Sequence, residues 1–311
     1  MKISVVIPCY NSEATISKVV KMVIEELTKR EYDYEFVLVN DFSKDNTFGK
    51  IRELAEEDSR IIGLDLMRNF GQHNALMAAL NHTTGDYIVG MDDDMQTHPS
   101  QLPKLIEKLE EGFDVVYGVF PSQKNSAFRN LGSKFNEVTS RIMLGRPKSI
   151  RSSSYWIMTR TVRDEVVKYT SFNPYLQGII FRTTHNIGMV EVEHFKREEG
   201  TSNYTLKKLI NLWLAYWNYS VIPLRVSFFL GLGSCGIGIL SAIIIIIKKI
   251  LTPDMPIGWA STLCVMVVFS GLILLMLGVI GEYLGKVLMC MNNTPQFIIR
   301  EALNLPGRDE R

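Results

Sequence analysis

For its first two hundred residues the chain alternates short apolar, β-branched runs with segments whose apolar positions recur at helical spacing. Residues 2–8 (KISVVIP), 34–39 (YEFVLV), 61–66, 86–90 and 114–119 read as buried strands. Residues 15–29, 47–58, 74–82 and 101–111 read as helices between them. Farther on, 150–158 and 188–192 have strand character, and 161–169 and 174–184 are helical in pattern. Alternation of this kind predicts right-handed crossovers and a mainly parallel sheet covered on both faces. The polar loops of the first half each follow a strand, so they gather at one edge of the sheet. Open α/β sheets bind their ligands at that edge.

The pattern changes beyond residue 204. Residues 206–219 combine early lysines with Trp213, Tyr216, Trp217 and Tyr219, a composition suited to the membrane interface. An ordinary core helix is the plain alternative there. From 226 to 247 there are 22 residues without a charge, and from 255 to 281 there are 27 more. Each run exceeds the roughly 20 residues that cross a bilayer core. The chain therefore divides into an α/β domain over 1–204, an interfacial segment over 205–223, two transmembrane helices over 224–285 and a tail over 286–311. Lys248 and Lys249 lie in the turn between the spans, while Lys207, Lys208, Arg225, Lys286, Arg300 and Arg308 flank them. That balance favours both termini on the cytoplasmic side of a multi-pass inner or plasma membrane protein.

Charge and cysteine content add mainly exclusions. The formal net charge of +1 gives no case for nucleic acid as a partner. Cys9, Cys235, Cys264 and Cys290 show neither metal-ligand spacing nor a disulfide framework.

The chemistry concentrates in Met91-Asp92-Asp93-Asp94-Met95-Gln96, directly after the strand at 86–90. Asp92 and Asp94 are two apart, so extended backbone points them the same way, toward one hard cation. Asp93 is turned away from its neighbours by the same alternation. The loop has neither the length nor the Gly and closing Glu of an EF-hand. A Mg²⁺ or Mn²⁺ site with positions left open for phosphate oxygens fits better, with a solvated acidic loop as the plain alternative.

Six loops, in order, carry a resemblance. They are Pro8-Cys9-Tyr10-Asn11 with Glu13; Asn40-Asp41-Phe42-Ser43-Lys44-Asp45; Arg68-Asn69-Phe70-Gly71-Gln72-His73; and Asp92-Asp93-Asp94-Met95-Gln96. Arg197-x-x-Gly200-x-Ser202-x-Tyr204 and Gly281-Glu282-Tyr283-Leu284-Gly285 complete the set. Together they resemble family 2 glycosyltransferases with the GT-A, Rossmann-like nucleotide-sugar fold. Within that family the chain looks most like the membrane-anchored polyprenyl-phosphate glycosyltransferases.

The resemblance implies inverting transfer of one sugar from a nucleoside diphosphate sugar, UDP-linked, to undecaprenyl or another polyprenyl phosphate. Pro8, Tyr10, Asn11, Glu13, Asp41, Arg68, Asp92 and Asp93 would bind the nucleotide sugar. Asp92, Asp94 and Gln96 would hold the metal, with Asp94 and Arg197 as the catalytic pair. Arg129, Arg141, Arg197, Ser202 and Tyr204 would meet the acceptor and its phosphate. Relatives of this type also imply a homo-oligomer, a tetramer. A processive polysaccharide synthase is the alternative enzyme, although its Gln-x-x-Arg-Trp motif is missing; a non-catalytic scaffold for glycan export is the alternative outside enzymes. Two departures stand out: Asn40 occupies a position where many relatives carry Asp, and Ser152-Ser153-Ser154 replaces an acidic segment.

Overall fold

Ile3, Ser4, Val5, Val6 and Ile7 are buried in succession in the first strand, β1 (Lys2–Cys9). A strand can do this only when both its faces are covered. β2 (Asp33–Asn40) and β3 (Ile61–Leu66) are enclosed in the same way. The computed structural model describes residues 1–120, 146–147, 149–193, 222–251 and 258–305. Its remaining strands are β4 (Tyr87–Gly90), β5 (Val115–Val119), β6 (Trp156–Thr159), β7 (Ile187–Glu191) and β8 (Ile299–Leu303). The helices are α1 (Ile16–Thr28), α2 (Thr47–Glu57), α3 (Gln72–Leu80), α4 (Leu102–Glu110), α5 (Arg160–Val166), α6 (Leu176–Thr183), α7 (Ile222–Leu251) and α8 (Trp259–Met291).

α1 turns Ile16, Val19, Val20, Val23 and Leu27 to the sheet, and α4 does the same with Leu102, Leu105, Ile106 and Leu109. Both show the spacing of a one-sided helix. α3 differs: every residue from Asn74 to Leu80 is buried, which fits a helix enclosed on all sides. Strand alternation divides the core in two. Val6 joins Ala75, Met77 and Trp156 on one face, whereas Val5 and Ile7 join Val19, Leu105 and Tyr155 on the other.

The sheet runs β7-β5-β6-β4-β1-β2-β3-β8. β1 pairs in parallel with both β2 and β4, so the chain winds outward through β3 and then returns to the other side of β1. The crevice at that reversal is where such sheets place ligands. The sheet is mainly parallel, as expected, with two strands running against the rest. β6 lies antiparallel between β4 and β5, and β8 runs antiparallel along β3. Strand direction depends on a distant partner, and a local apolar run carries no trace of it. β6 is also shorter than the 150–158 reading. Before it the Ser153 hydroxyl shares its one proton between Gly118 O at 2.6 Å and Tyr155 O at 2.8 Å and accepts from Tyr155 N at 3.2 Å.

The chain separates into two compact units, Met1–Tyr219 with Thr294–Arg311, and Ser220–Asn293. The second unit holds α7 and α8. Among the described residues one segment, Phe269–Met291, has the length and mean hydropathy (1.9) to cross a membrane. α7 carries a shorter apolar stretch, Leu224–Ser234. The interfacial segment over 205–223 lies outside the described residues, apart from the first turn of α7. The tail expected over 286–311 instead continues α8 to Met291 and then supplies β8 to the sheet.

β8 fastens to the ends of β2 and β3 through one polar chain. Arg300 pairs with Asp65 at 3.3 Å, donates to Met67 O at 3.0 Å and stacks over Phe42 at 5.3 Å. Asp65 in turn accepts from the Asn40 amide at 2.7 Å, and Asn40 Oδ1 accepts from Ser43 N at 3.2 Å. Asn40 and Asp65 are 4% and 5% exposed, so the amide there supplies a donor that a second carboxylate lacks. Asn40→Asp should destabilise the folded chain by about 1–3 kcal/mol at pH 7, read as a lowered denaturation midpoint. The loss should shrink on acidification, as one of the two carboxylates takes a proton.

Candidate active site

Each loop leaving the carboxyl end of the central strands contains one residue in the left-handed region of backbone space. These are Asn11 (φ 55), Phe42 (φ 59), Gly71 (φ 90) and Met95 (φ 62), after β1, β2, β3 and β4 respectively. For Phe and Met that conformation carries strain, which collects at functional turns.

The first two loops are laced together. Asn11 N donates to Ser43 Oγ at 2.9 Å, and Lys44 N donates to Asn11 Oδ1 at 2.9 Å. Asn46 N donates to Glu13 Oε2 at 3.1 Å, and Ser12 N donates to Thr47 Oγ1 at 2.7 Å. Asn11 and Glu13, expected at the nucleotide sugar, thus have side-chain oxygens engaged in holding the neighbouring loop. The third loop is braced by Asp41, whose two carboxylate oxygens accept from Phe70 N at 2.7 Å and Gly71 N at 2.9 Å. Asn69 Nδ2 also donates to Asp41 O at 3.1 Å. Burial raises the Asp41 pKa, and the two backbone donors oppose that rise.

These loops enclose a cleft of about 460 Å³ lined by Pro8, Cys9, Tyr10, Asp41, Asn69, Gly71, Gln72, Asp92, Asp93 and Asp94. The fold therefore brings together six of the residues singled out from sequence: Pro8, Tyr10, Asp41, Asp92, Asp93 and Asp94. Arg68 is exposed and stacks over Phe70 at 4.6 Å, outside the cleft lining. Gln96 lines no part of the cleft; its backbone N–H donates to Asp94 Oδ1 at 3.0 Å. Arg129, Arg141, Arg197, Ser202 and Tyr204 lie outside the described residues.

Asp93 accepts from the Ser12 hydroxyl in the loop before α1, yet it lines the same cleft as Asp92 and Asp94. The loop is bent rather than extended, so strand alternation does not hold there. Burial pushes the Asp93 pKa up to about 6, against the Ser12 hydrogen bond, with Asp92 and Asp94 adding to the rise. The same enclosure raises the Cys9 thiol, through burial first and the Asp93 charge second. Lys and Arg are absent from the described lining of the cleft. A cleft whose described walls carry four carboxylates and no Lys or Arg has the chemistry of a hard divalent-cation site. No group of three His, Cys, Asp or Glu suited to a metal occurs among the described residues. Asp92 and Asp94 would therefore hold the ion as a pair, with the remaining positions left to substrate oxygens and water. Mg²⁺ sites commonly have this composition.

Several residues at the cleft were given no role from sequence. Ser12 positions Asp93, and Gln72 Nε2 donates to Asp92 Oδ1 at 2.9 Å. Beside them a smaller cavity of about 160 Å³ opens against Pro8, Gln72 and Asp92 and is lined further by His73, Ser154, Trp156 and Gln177. Ser154 belongs to the serine run noted above, so that departure reaches the site. Gln72 and His73 stood in the loop at 68–73 quoted for the resemblance, just before the helix expected from 74, but Gln177 carried no local signal. Trp156 is 1% exposed and belongs to the core, in keeping with packing as its main role.

Burial lowers the His73 pKa from 6.5 to about 4. The fold thus holds the neutral ring, while the unfolded chain takes up a proton below pH 6.5. Stability from this group is full above that pH and is lost as pH falls through about 4. His73→Gln should remove roughly 2 kcal/mol of acid sensitivity, a figure discounted for the ring's partial exposure. Denaturant titrations of both proteins at pH 7 and pH 4 measure the difference.

Comparison with known proteins agrees with this geometry. The model of the family described as Glycosyl transferase family 2 matches residues 4–167. An uncharacterized glycosyltransferase of Bacillus subtilis, YkcC, is 30% identical over 98% of this chain and 95% of its own. The undecaprenyl-phosphate 4-deoxy-4-formamido-L-arabinose transferase of Shewanella sediminis is 32% identical over 97% of this chain and 92% of its own. Among solved structures, glucosyl-3-phosphoglycerate synthase from Mycobacterium tuberculosis shares the fold, with a TM-score of 0.52 at 21% identity. That match covers 70% of this chain and 78% of the synthase. With the family model spanning more than half its length and relatives alike from end to end, the chain belongs to glycosyltransferase family 2.

Proposed function

We propose that the enzyme moves one sugar from a UDP-linked donor to undecaprenyl or another polyprenyl phosphate at the cytoplasmic face of the membrane. The carboxylate-rich cleft at the sheet reversal carries this reading. Full-length similarity to transferases named for undecaprenyl phosphate supports the lipid acceptor. α7 and α8 would anchor the chain as a two-helix hairpin, with residues 205–223 lying in the interface. The tetramer remains part of the same reading.

In this reading Asp41 and Tyr10 hold the nucleoside, and Pro8 forms a wall of the cleft. Asp92 and Asp94 hold the cation; a structural neighbour was crystallised with Mn²⁺ and UDP. A bound divalent ion neutralises charge developing on the diphosphate leaving group. Asp93, held by Ser12, keeps the acidic loop in register. The acceptor phosphate is anionic at neutral pH, by analogy with phosphorylated side chains. It can attack the anomeric carbon without a protein base taking a proton, and direct displacement inverts that centre. What the protein must supply is screening between two anions. Arg129, Arg141 and Arg197, with Ser202 and Tyr204, are the groups proposed for the phosphate side.

The test is transfer by the purified full-length protein, with undecaprenyl phosphate and a panel of nucleotide sugars, read by mass spectrometry of extracted lipid. Asp94→Asn should cut turnover by at least about a hundredfold while leaving the melting temperature within a few degrees, because it removes charge from a loop rather than from the core. Normal turnover of that variant at limiting Mn²⁺ would show the cation assignment to be wrong. Arg197→Ala should lower kcat/KM by about 10²–10³, in line with the loss of other charge-stabilising donors. Unchanged kcat/KM would remove Arg197 from the mechanism.

A further inference from the structure

β8 carries an irregularity where it meets the end of β3. Asp65 pairs with Glu301 and Leu66 pairs with Ile299, so Arg300 is the extra residue of a bulge. Bonding resumes at once, with Met67 N donating to Ile298 O at 2.9 Å. Bulges re-aim a side chain, and they gather beside active sites. The side chain re-aimed here is a planar guanidinium, which has donors for several partners and a face that stacks on aromatic rings.

Arg300 uses both features, on two different loops. One terminal nitrogen pairs with Asp65 at 3.3 Å, and the other donates at 3.0 Å to Met67 O, at the root of the loop after β3. The guanidinium lies over the Phe42 ring at 5.3 Å, in the loop after β2, within the reach of a cation–π contact. Phe42 needs such a restraint. Its backbone is left-handed (φ 59), a state that persists in a residue other than glycine only where the surroundings enforce it. Core packing does not supply that: the residue is 43% exposed and borders an open space of about 400 Å³ that Arg300 also lines.

Between these two grips sits Asp41. It directly precedes Phe42, and its carboxylate joins the two loops by accepting from Phe70 N and Gly71 N. Asp41 lines the large cleft, and Arg300 does not. Fixing Phe42 and Met67 therefore fixes the chain on both sides of the Asp41 carboxylate and its two donors.

We propose that Arg300, supplied by the chain beyond α8, is a positioning residue for nucleotide binding: it holds Phe42 and Met67 so that Asp41 is presented to the nucleoside. The assignment rests on the reading above in which Asp41 meets the nucleoside. Arg300 touches no substrate in it, and its loss is felt through the geometry of the two loops.

The experiment uses the full-length protein in detergent and compares wild type with Arg300→Met, Phe42→Ala, the double variant and Asn304→Ala. Asn304 fastens the far end of β8, donating to Ala55 O at 2.6 Å and Ile61 O at 3.0 Å, away from both loops. It reports what loosening the strand alone does. UDP affinity is measured with Mn²⁺ present, donor KM and kcat by lipid transfer, and folding by melting temperature. Arg300→Met and Phe42→Ala should each weaken UDP about tenfold, and the double variant no more than either, as expected of neighbours acting by one route. Donor KM should rise by the same factor with kcat within about twofold of wild type, the mark of lost ground-state binding. Asn304→Ala should lower the melting temperature and leave UDP affinity unchanged. If Arg300→Met does not fold, Phe42→Ala, which alters an exposed side chain, decides alone. Wild-type UDP affinity in either single variant, additive losses in the double, or an equal loss in Asn304→Ala overturns the assignment. Failure of folded wild type to bind UDP at all would remove the nucleotide reading itself, and the assignment with it.

Discussion

Negative charge crowded into one cleft is the constraint on which the rest of this structure depends. Asp41, Asp92, Asp93 and Asp94 all line a space of about 460 Å³ whose described walls contain no Lys or Arg. Burial first, with the neighbouring Asp92 and Asp94 charges adding to it, raises the Asp93 pKa to about 6. Such an arrangement is unfavourable for an isolated protein and favourable for one that handles a cation and phosphates. The acidic loop is tolerated because it sits at the rim of a sheet whose two cores supply stability elsewhere.

Holding four loops at that rim requires their own polar groups. Ser12 serves three times: its backbone N–H donates to Thr47, its hydroxyl donates to Asp93, and the same hydroxyl accepts from Tyr10 N. Asn11 and Glu13 tie the first loop to the second, and Asp41 ties the second to the third. Residues that look from sequence like ligand contacts are thus partly framework. Both uses draw on the same short polar side chains, which turn the backbone by bonding to nearby N–H groups.

The strand that follows α8 extends this framework. Arg300 touches Asp65 and Phe42 as well as Met67 O, and so joins the ends of β2 and β3. Asn40 then has a clear local reason: it donates to Asp65, which already faces Arg300 on its other side. The Asn40 departure noted from sequence is explained by the pairing of a C-terminal edge strand.

Residues near one another in the chain made much of this legible in advance. Periodicity located β1 to β5 and α1 to α4 within a few residues, because burial on a strand or helix repeats at that element's own spacing. The placement of Asp41, Asp92 and Asp94 after strands marked the site edge for the same reason. Tertiary structure alone decided the antiparallel course of β6 and β8, since their partners lie far away in sequence and direction leaves no local pattern. It alone brought Gln177 and Ser154 beside His73, from about 100 and about 80 residues away along the chain. It also decided which polar residues face the cleft and which lace the loops, because Asn11, Glu13 and Asp41 each offer a side-chain oxygen that can accept from a ligand or from a neighbouring backbone N–H.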